Sequence, residues 1–355
     1  MTGRGAQFAY VISLGAGTTT YQVDPETGAL TTQGDTPLPT GVGSPVALAL
    51  TPSGRFAYVV ARPNAAASGN IVTYAVDQST GALSQASGLT PTGLGPNAIA
   101  IDPTGRFLYV ANMAESSVSG YRIDASTGTL AAITGSPFGS LNASALAIQP
   151  SGQFMYVVND GNNTVSAYAV ESSGALRPIA ASYPTGLFPQ AAAVDPPGGH
   201  VYVANAGGAG NVSAFSIDST GALSQIAGSP FPAGTTPRAL AITPDARFLY
   251  AALSPDNTVR GFSIIETSGQ LVPLGGVPAG TGQTPTSIVV EPAGRFAYVT
   301  NEQDDTISVY AITQSSGLLT RKPNVGSPRG PIAMAVGARA APARRAVPPR
   351  SVHPF

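Results

Sequence analysis

The sequence has no cysteine and no tryptophan, two histidines, and charged residues at only 10% of 355 positions. Without cysteine there can be no disulfide, no thiol nucleophile and no thiolate metal site. The low charge is nearly balanced, at a net −1. No basic field is present to hold nucleic acid, whose binding is dominated by phosphate neutralisation. No apolar run approaches the roughly 20 residues of a membrane-spanning helix. The first residues, "MTGRGAQFAYVIS", lack the apolar stretch and small-residue cleavage site of an export signal. The sequence therefore predicts a protein that is either cytoplasmic or exported with its leader removed.

Glycine and proline are abundant instead, at 42 and 32 residues, within a chain that is 43% hydrophobic. No Gly-X-Y period occurs, so the excess indicates many turns between apolar strands. The turns recur in phase. Tyr10, Tyr58, Tyr109, Tyr156, Tyr202, Tyr250 and Tyr298 each stand in a Tyr-Val or Tyr-Ala pair, spaced by 48, 51, 47, 46, 48 and 48 residues. A second marker, of the form "TGAL" or "SGAL", follows each one at Gly28, Gly81, Gly128, Gly174, Gly221, Gly269 and Gly317. Two markers in one phase, with a period of about 40–50 and several short strands per unit, predict propeller blades.

The unit around "IDPTGRFLYVAN" shows the plan. An inner strand "NAIAI" is followed by the turn "DPTG", with Pro second and Gly fourth, which suits a type I turn. Then come "RFLYVAN", "SVSGYRI" and an outer strand "TLAAIT". Beta-branched and aromatic residues dominate, and no helical period appears. The fold predicted is all-β, a seven-bladed β-propeller of four-stranded antiparallel blades over residues 1–337. The chain opens on a second strand, and "GPIAMAVG" at 330–337 reads as an inner strand without its hairpin. The C-terminal strand is therefore expected to complete the N-terminal blade, so that no sheet edge is left open. Residues 338–355 contain Arg339, Arg344, Arg345 and Arg350 among Ala and Pro, and read as a disordered tail. A monomer is expected.

The turns joining inner to second strands, and third to outer strands, are short and uniform. The loops on the other face vary, and a candidate site for a small molecule or protein partner belongs there. Aligning the inner strands by their following proline places Val46, Asn97, Ser144, Gln190, Arg238, Thr286 and Ile332 around the channel mouth, with Arg238 as the one charge. Arg62, Glu115, Asp160, Asn162, Asp256, Glu302 and Asp304 lie in loops that can approach it. An arginine facing carboxylates can hold an anionic substrate and activate water. The candidate catalytic residues are Arg238 and Glu302; the candidate substrate-binding residues are Asn97, Ser144, Gln190, Arg238 and Thr286. The stretch "NEQDD" lacks the ligand spacing of a dedicated cation loop, so no metal and no other cofactor is predicted.

The absence of tryptophan and of a Gly-His…Trp-Asp pattern argues against WD40 repeats. "TPDARFLY", "EPAGRFAYVTN" and "DDTISVYAI" instead resemble the seven-bladed lactonase propellers and the related YVTN repeats, over about residues 3–337. That resemblance implies a 6-phosphogluconolactonase-like hydrolase, or a non-catalytic binding or surface scaffold. Lactonase-like propellers carry a "GPRH"-type entry to an inner strand and "NE" after the next strand. Here "YVTNE" keeps the acid, Glu302, while Thr286 and Ser287 stand where Arg and His are implied. "TPRALAI" keeps Arg238 but has Ala239 at the histidine position. His200 takes the place of a turn phenylalanine on the far face, and His353 is in the tail, so neither is placed as a general base, and a carboxylate remains to serve as one. Two functions stay open on the sequence alone: hydrolysis of a small anionic lactone or ester, and binding without catalysis.

Overall fold

The computed structural model describes residues 7–337. Seven antiparallel sheets form the blades of a propeller, and the only helical turn among the described residues is a short 3₁₀ segment, Asp160–Asn162. The tail at 338–355 lies outside the described residues.

Blade 3 shows the pattern, with Pro96–Ile101 innermost, then Phe107–Asn112, Ser117–Ile123 and Leu130–Ala132. The second strand is buried at every residue because both of its faces are covered by neighbouring blades. Its period of two sorts the side chains. Tyr109 and Ala111 pack with Met155 and Val157 of blade 4, while Leu108 and Val110 pack with Tyr58 and Val60 of blade 2. The inner strands stay partly exposed along their length, as expected of strands that line a channel.

One refinement to the four-strand expectation concerns the outer edge. In five blades that edge is in two pieces, such as Leu130–Ala132 and Phe138–Gly139, both pairing with Ser117–Ile123. The intervening "TGSP" loop reads as turn chemistry in the sequence. It is a turn, and its Ser136 hydroxyl also accepts the Gly120 N–H at 2.9 Å.

The two sequence markers are partners in one bond. Each marker tyrosine donates its hydroxyl to the carbonyl of the marker glycine in the next blade, at 2.7–3.2 Å. The series ends with Tyr298 of blade 7 reaching Gly28 of blade 1, so the bond circles the whole ring. Burial holds these seven phenol protons well above the ordinary tyrosine range. Gly28 has φ +73°, and a Cβ there would overlap the ring of Phe296, so glycine is required on two counts. His200 does in blade 5 what phenylalanine does elsewhere: it lies against Gly269, with Nδ1 2.7 Å from Asp195 Oδ2.

The seam is closed as the ends of the sequence predict. Pro331–Gly337 pairs antiparallel with Gln7–Ser13, from Phe8↔Gly337 to Ser13↔Pro331. Met334 enters a core with Ala9, Val11 and Tyr298, joining both ends of the chain to blade 7.

Blade 6 departs from the repeat at its outer edge. Val277 stands where blades 3 and 5 have Ser136 and Ser229, and Ala279 stands where they have Phe138 and Phe231. Val277 is 93% exposed, and a cavity of about 200 Å³ opens among Tyr250, Val259, Leu274, Ala279 and Leu319.

Candidate functional site at the channel mouth

Val46, Asn97, Ser144, Gln190, Arg238, Thr286 and Ile332 share one backbone feature. Each is skipped in the pairing between its inner strand and the adjacent strand, as between Pro237↔Leu253 and Ala239↔Ala252. A bulge of this kind re-aims a side chain, and here it recurs once per blade at the same end of the inner strands.

A second ring lies beside the first. Four blades end their second strand in a buried asparagine, Asn112, Asn159, Asn205 or Asn301, whose Nδ2 donates to two partners on the third strand at 2.8–3.1 Å. The following residue then leaves the sheet. Its N–H donates to the carbonyl of a left-handed residue in the incoming loop, as Asp160 does to Asn142 at 3.3 Å and Glu302 to Thr284 at 3.0 Å. Around the ring this position is Leu14, Arg62, Met113, Asp160, Ala206, Ser254 and Glu302. Asp160 and Glu302 are thus equivalent residues of blades 4 and 7.

The polar members of the first ring differ in what they hold. Asn97 Nδ2 donates to the Ser144 carbonyl at 3.0 Å, Ser144 Oγ to the Pro189 carbonyl at 3.2 Å, and Thr286 Oγ1 to the Pro331 carbonyl at 3.1 Å. These three side chains stitch adjacent inner strands together. Arg238 is exposed, and neither its side chain nor that of Glu302 has a hydrogen bond or ion pair among the described residues.

The loop acids are divided in the same way. Glu115 accepts the Leu94 N–H at 3.0 Å, Asp256 the Thr235 N–H at 3.2 Å, and Asp304 the Gln283 N–H at 2.7 Å. They brace the incoming loops. Asp160 is different. Its Oδ1 is buried without a hydrogen-bond partner, and desolvation raises its pKa, opposed by the nearby Gln190 side chain. Arg62 is pushed the other way, its pKa lowered by burial. The sequence shows Asp160 as one loop acid among several; nothing in its letters distinguishes it, because its desolvation comes from the folded surroundings.

Among the described residues no group of three or more His, Asp or Glu is arranged to hold a metal ion, and no helix is long and apolar enough to cross a membrane.

Comparison with known proteins gives one family. The model described as "Lactonase, 7-bladed beta-propeller" matches residues 4–139, 132–235 and 224–335. No curated protein sequence matches. Among solved structures, the chain is similar to a candidate 6-phosphogluconolactonase of Bacteroides uniformis, at TM-score 0.81 and 21% identity, covering 93% of this chain and 99% of that one. It is also similar to the Pseudomonas aeruginosa periplasmic gluconolactonase PpgL, at TM-score 0.77 and 23% identity, covering 94% and 99%.

Proposed function

The chain belongs to the seven-bladed β-propeller lactonase family, and from that premise we propose that it hydrolyses a small lactone or ester at the channel mouth. The observation that carries this reading is Asp160, a partly buried carboxyl with an unpartnered oxygen and a raised pKa, on the same face as an arginine without an ion-pair partner. A carboxylate whose pKa is raised by desolvation is, once ionised, a stronger base than an ordinary one.

In the proposed reaction a water molecule adds to the ester carbonyl as Asp160 takes its proton. Arg238 holds the oxyanion that forms, together with any carboxylate or other anionic group on the substrate. The ring C–O bond then breaks, and the departing oxygen takes the proton back from Asp160 to give a hydroxy acid. Glu302, on the blade next to that of Arg238, is the other carboxylate able to take the water proton. Gln190 orients Asp160. Asn97, Ser144 and Thr286, each held by the next blade, offer their remaining polar capacity to the substrate from fixed positions.

The test is a lactone and ester hydrolysis screen on the purified chain beside Arg238→Ala, Asp160→Asn and Glu302→Gln. Turnover in the parent, with loss on Arg238→Ala and Asp160→Asn at unchanged melting temperature, is the expected result. Absence of turnover on every substrate would leave the binding-scaffold function in its place.

A further inference from the structure

The rim of this face is chemically lopsided. Three residues before each bulge the incoming loop presents Gly43, Leu94, Leu141, Leu187, Thr235, Gln283 and Arg329, for blades 2 to 7 and then blade 1. Blades 3, 4 and 5 thus present leucine in succession, exposed at 44%, 52% and 54%. Phe188 follows Leu187 and is 60% exposed. The other blades present small, polar or cationic residues at the same position.

Phe188 is also an unusual residue type for its backbone position. It occupies the left-handed position of the loop, at φ +53°, where other blades have Gly95, Asn142, Thr236, Thr284 or Gly330. An aromatic residue is disfavoured there, and a left-handed non-glycine residue is a reason to look for function. The exposure is not a sign of a loose loop. The Phe188 N–H donates to Asn163 Oδ1 at 2.7 Å, and the Phe188 and Leu187 carbonyls accept the N–H groups of Ala206 and Gly207 at 2.9 and 2.8 Å. Gly207 packs so closely beneath that a Cβ there would overlap both side chains. The chain therefore holds a strained phenylalanine rigidly in water, beside a row of three leucines. The row lies along the rim of the blades that supply Asp160 and Gln190.

We propose that this crescent of Leu94, Leu141, Leu187 and Phe188 binds an apolar substituent of the substrate, so that the enzyme acts on alkyl- or aryl-substituted lactones in preference to polyhydroxylated ones. The inference rests on the hydrolytic reading of the same mouth. The polar half, from Asp160 through Gln190 and Arg238 to Glu302, takes the ester and any anionic group. The apolar half covers the tail. A polyol would leave four large apolar side chains against its hydroxyl groups, with no donor or acceptor on them to replace water.

The experiment measures kcat/KM for γ-lactones of increasing alkyl length, from butyrolactone to decanolactone. The parent chain is compared with Phe188→Thr and with Leu141→Gln/Leu187→Gln, which install the residue types of blades 6 and 7. The parent is expected to gain roughly two- to fourfold per methylene, with that slope flattened in both variants. A flat series in the parent, or a slope the variants leave intact, overturns the proposal while hydrolysis itself stands. Should no lactone be turned over, the hydrolytic reading fails separately. The crescent is then judged by displacement of 1-anilinonaphthalene-8-sulfonate with alkanoates of four to ten carbons. Tightening with length that both variants abolish supports it; no dependence on length overturns it. Co-sedimentation with anionic phospholipid vesicles, or concentration-dependent dimerisation, that the same variants abolish would assign the surface to a membrane or a second copy instead, and would also overturn it.

Discussion

Replacing Tyr298 with Phe tests whether the ring is closed by the same bond that joins its interior blades. The hydroxyl donates to the Gly28 carbonyl at 2.9 Å, and the side chain is fully buried. Phenylalanine keeps the ring and its packing but leaves a buried carbonyl without its donor, at a cost of about 1–2 kcal/mol. A chain of this length unfolds with an entropy of roughly 0.7 kcal/mol per kelvin, so the melting temperature should fall by about 1.5–3 °C. Tyr109→Phe removes the equivalent bond to Gly174, 2.7 Å long and between consecutive blades, and should cost the same. Gly28→Ala is expected to do more damage. The left-handed φ costs about 1–2 kcal/mol, and overlap with Phe296 adds about 1–3 kcal/mol. Gly88→Ala, at a position with no left-handed φ and nothing within 4 Å, should stay within about 0.5 kcal/mol of the parent. Differential scanning calorimetry of the four variants reads all of this. A Tyr298→Phe loss far smaller than that of Tyr109→Phe would show that the seam is not bonded as the interior is, and would refute the closed ring.

Deleting residues 330–355 should abolish cooperative melting or cause aggregation, because it exposes Gln7–Ser13 as a bare edge; a deletion of 338–355 alone is the control, and equal melting of the two would contradict strand closure. The double change Val277→Ser/Ala279→Phe in blade 6 restores the edge of blades 3 and 5 and fills the cavity of about 200 Å³. It should raise stability by about 1–2 kcal/mol in urea titration; a loss would show that the cavity is not simply an unfilled phenylalanine site. Asp160→Asn should stabilise the fold at pH 7–8. The native carboxyl holds its proton more tightly than the unfolded one, so its ionisation opposes folding above the native pKa and ceases to do so below about pH 4. The gain should therefore vanish on acidification, and a gain constant with pH would contradict the raised pKa.

What the sequence discloses depends on whether a residue's role repeats. The Tyr and Gly markers are visible because one bond is made in every blade, so two letters recur at one spacing. The ring of mouth residues can be picked out for the same reason, since the proline that follows the inner strands fixes their alignment. Uses that depend on the neighbouring loop are not legible. Glu115, Asp256 and Asp304 look like free acids until the Leu94, Thr235 and Gln283 N–H groups are seen on them. The bonds by which Asn97, Ser144 and Thr286 hold the next inner strand are likewise invisible in the sequence. Asp160 and Glu302 hold the same place in the repeat, and the family resemblance singles out Glu302; the desolvation of Asp160 appears only in the structure. The leucines of blades 3 to 5 lie in the variable loops of this face, but their exposure cannot be told from the sequence.

The most direct test of a carboxylate base at the mouth is the pH dependence of kcat/KM for lactone hydrolysis by the parent, Asp160→Asn and Glu302→Gln. The expected result is a rise with pH through a limb above the ordinary aspartate range, about 3.9, retained in Glu302→Gln and lost with most of the activity in Asp160→Asn. Full activity in Asp160→Asn, with the limb intact, would contradict the assignment of the base to Asp160.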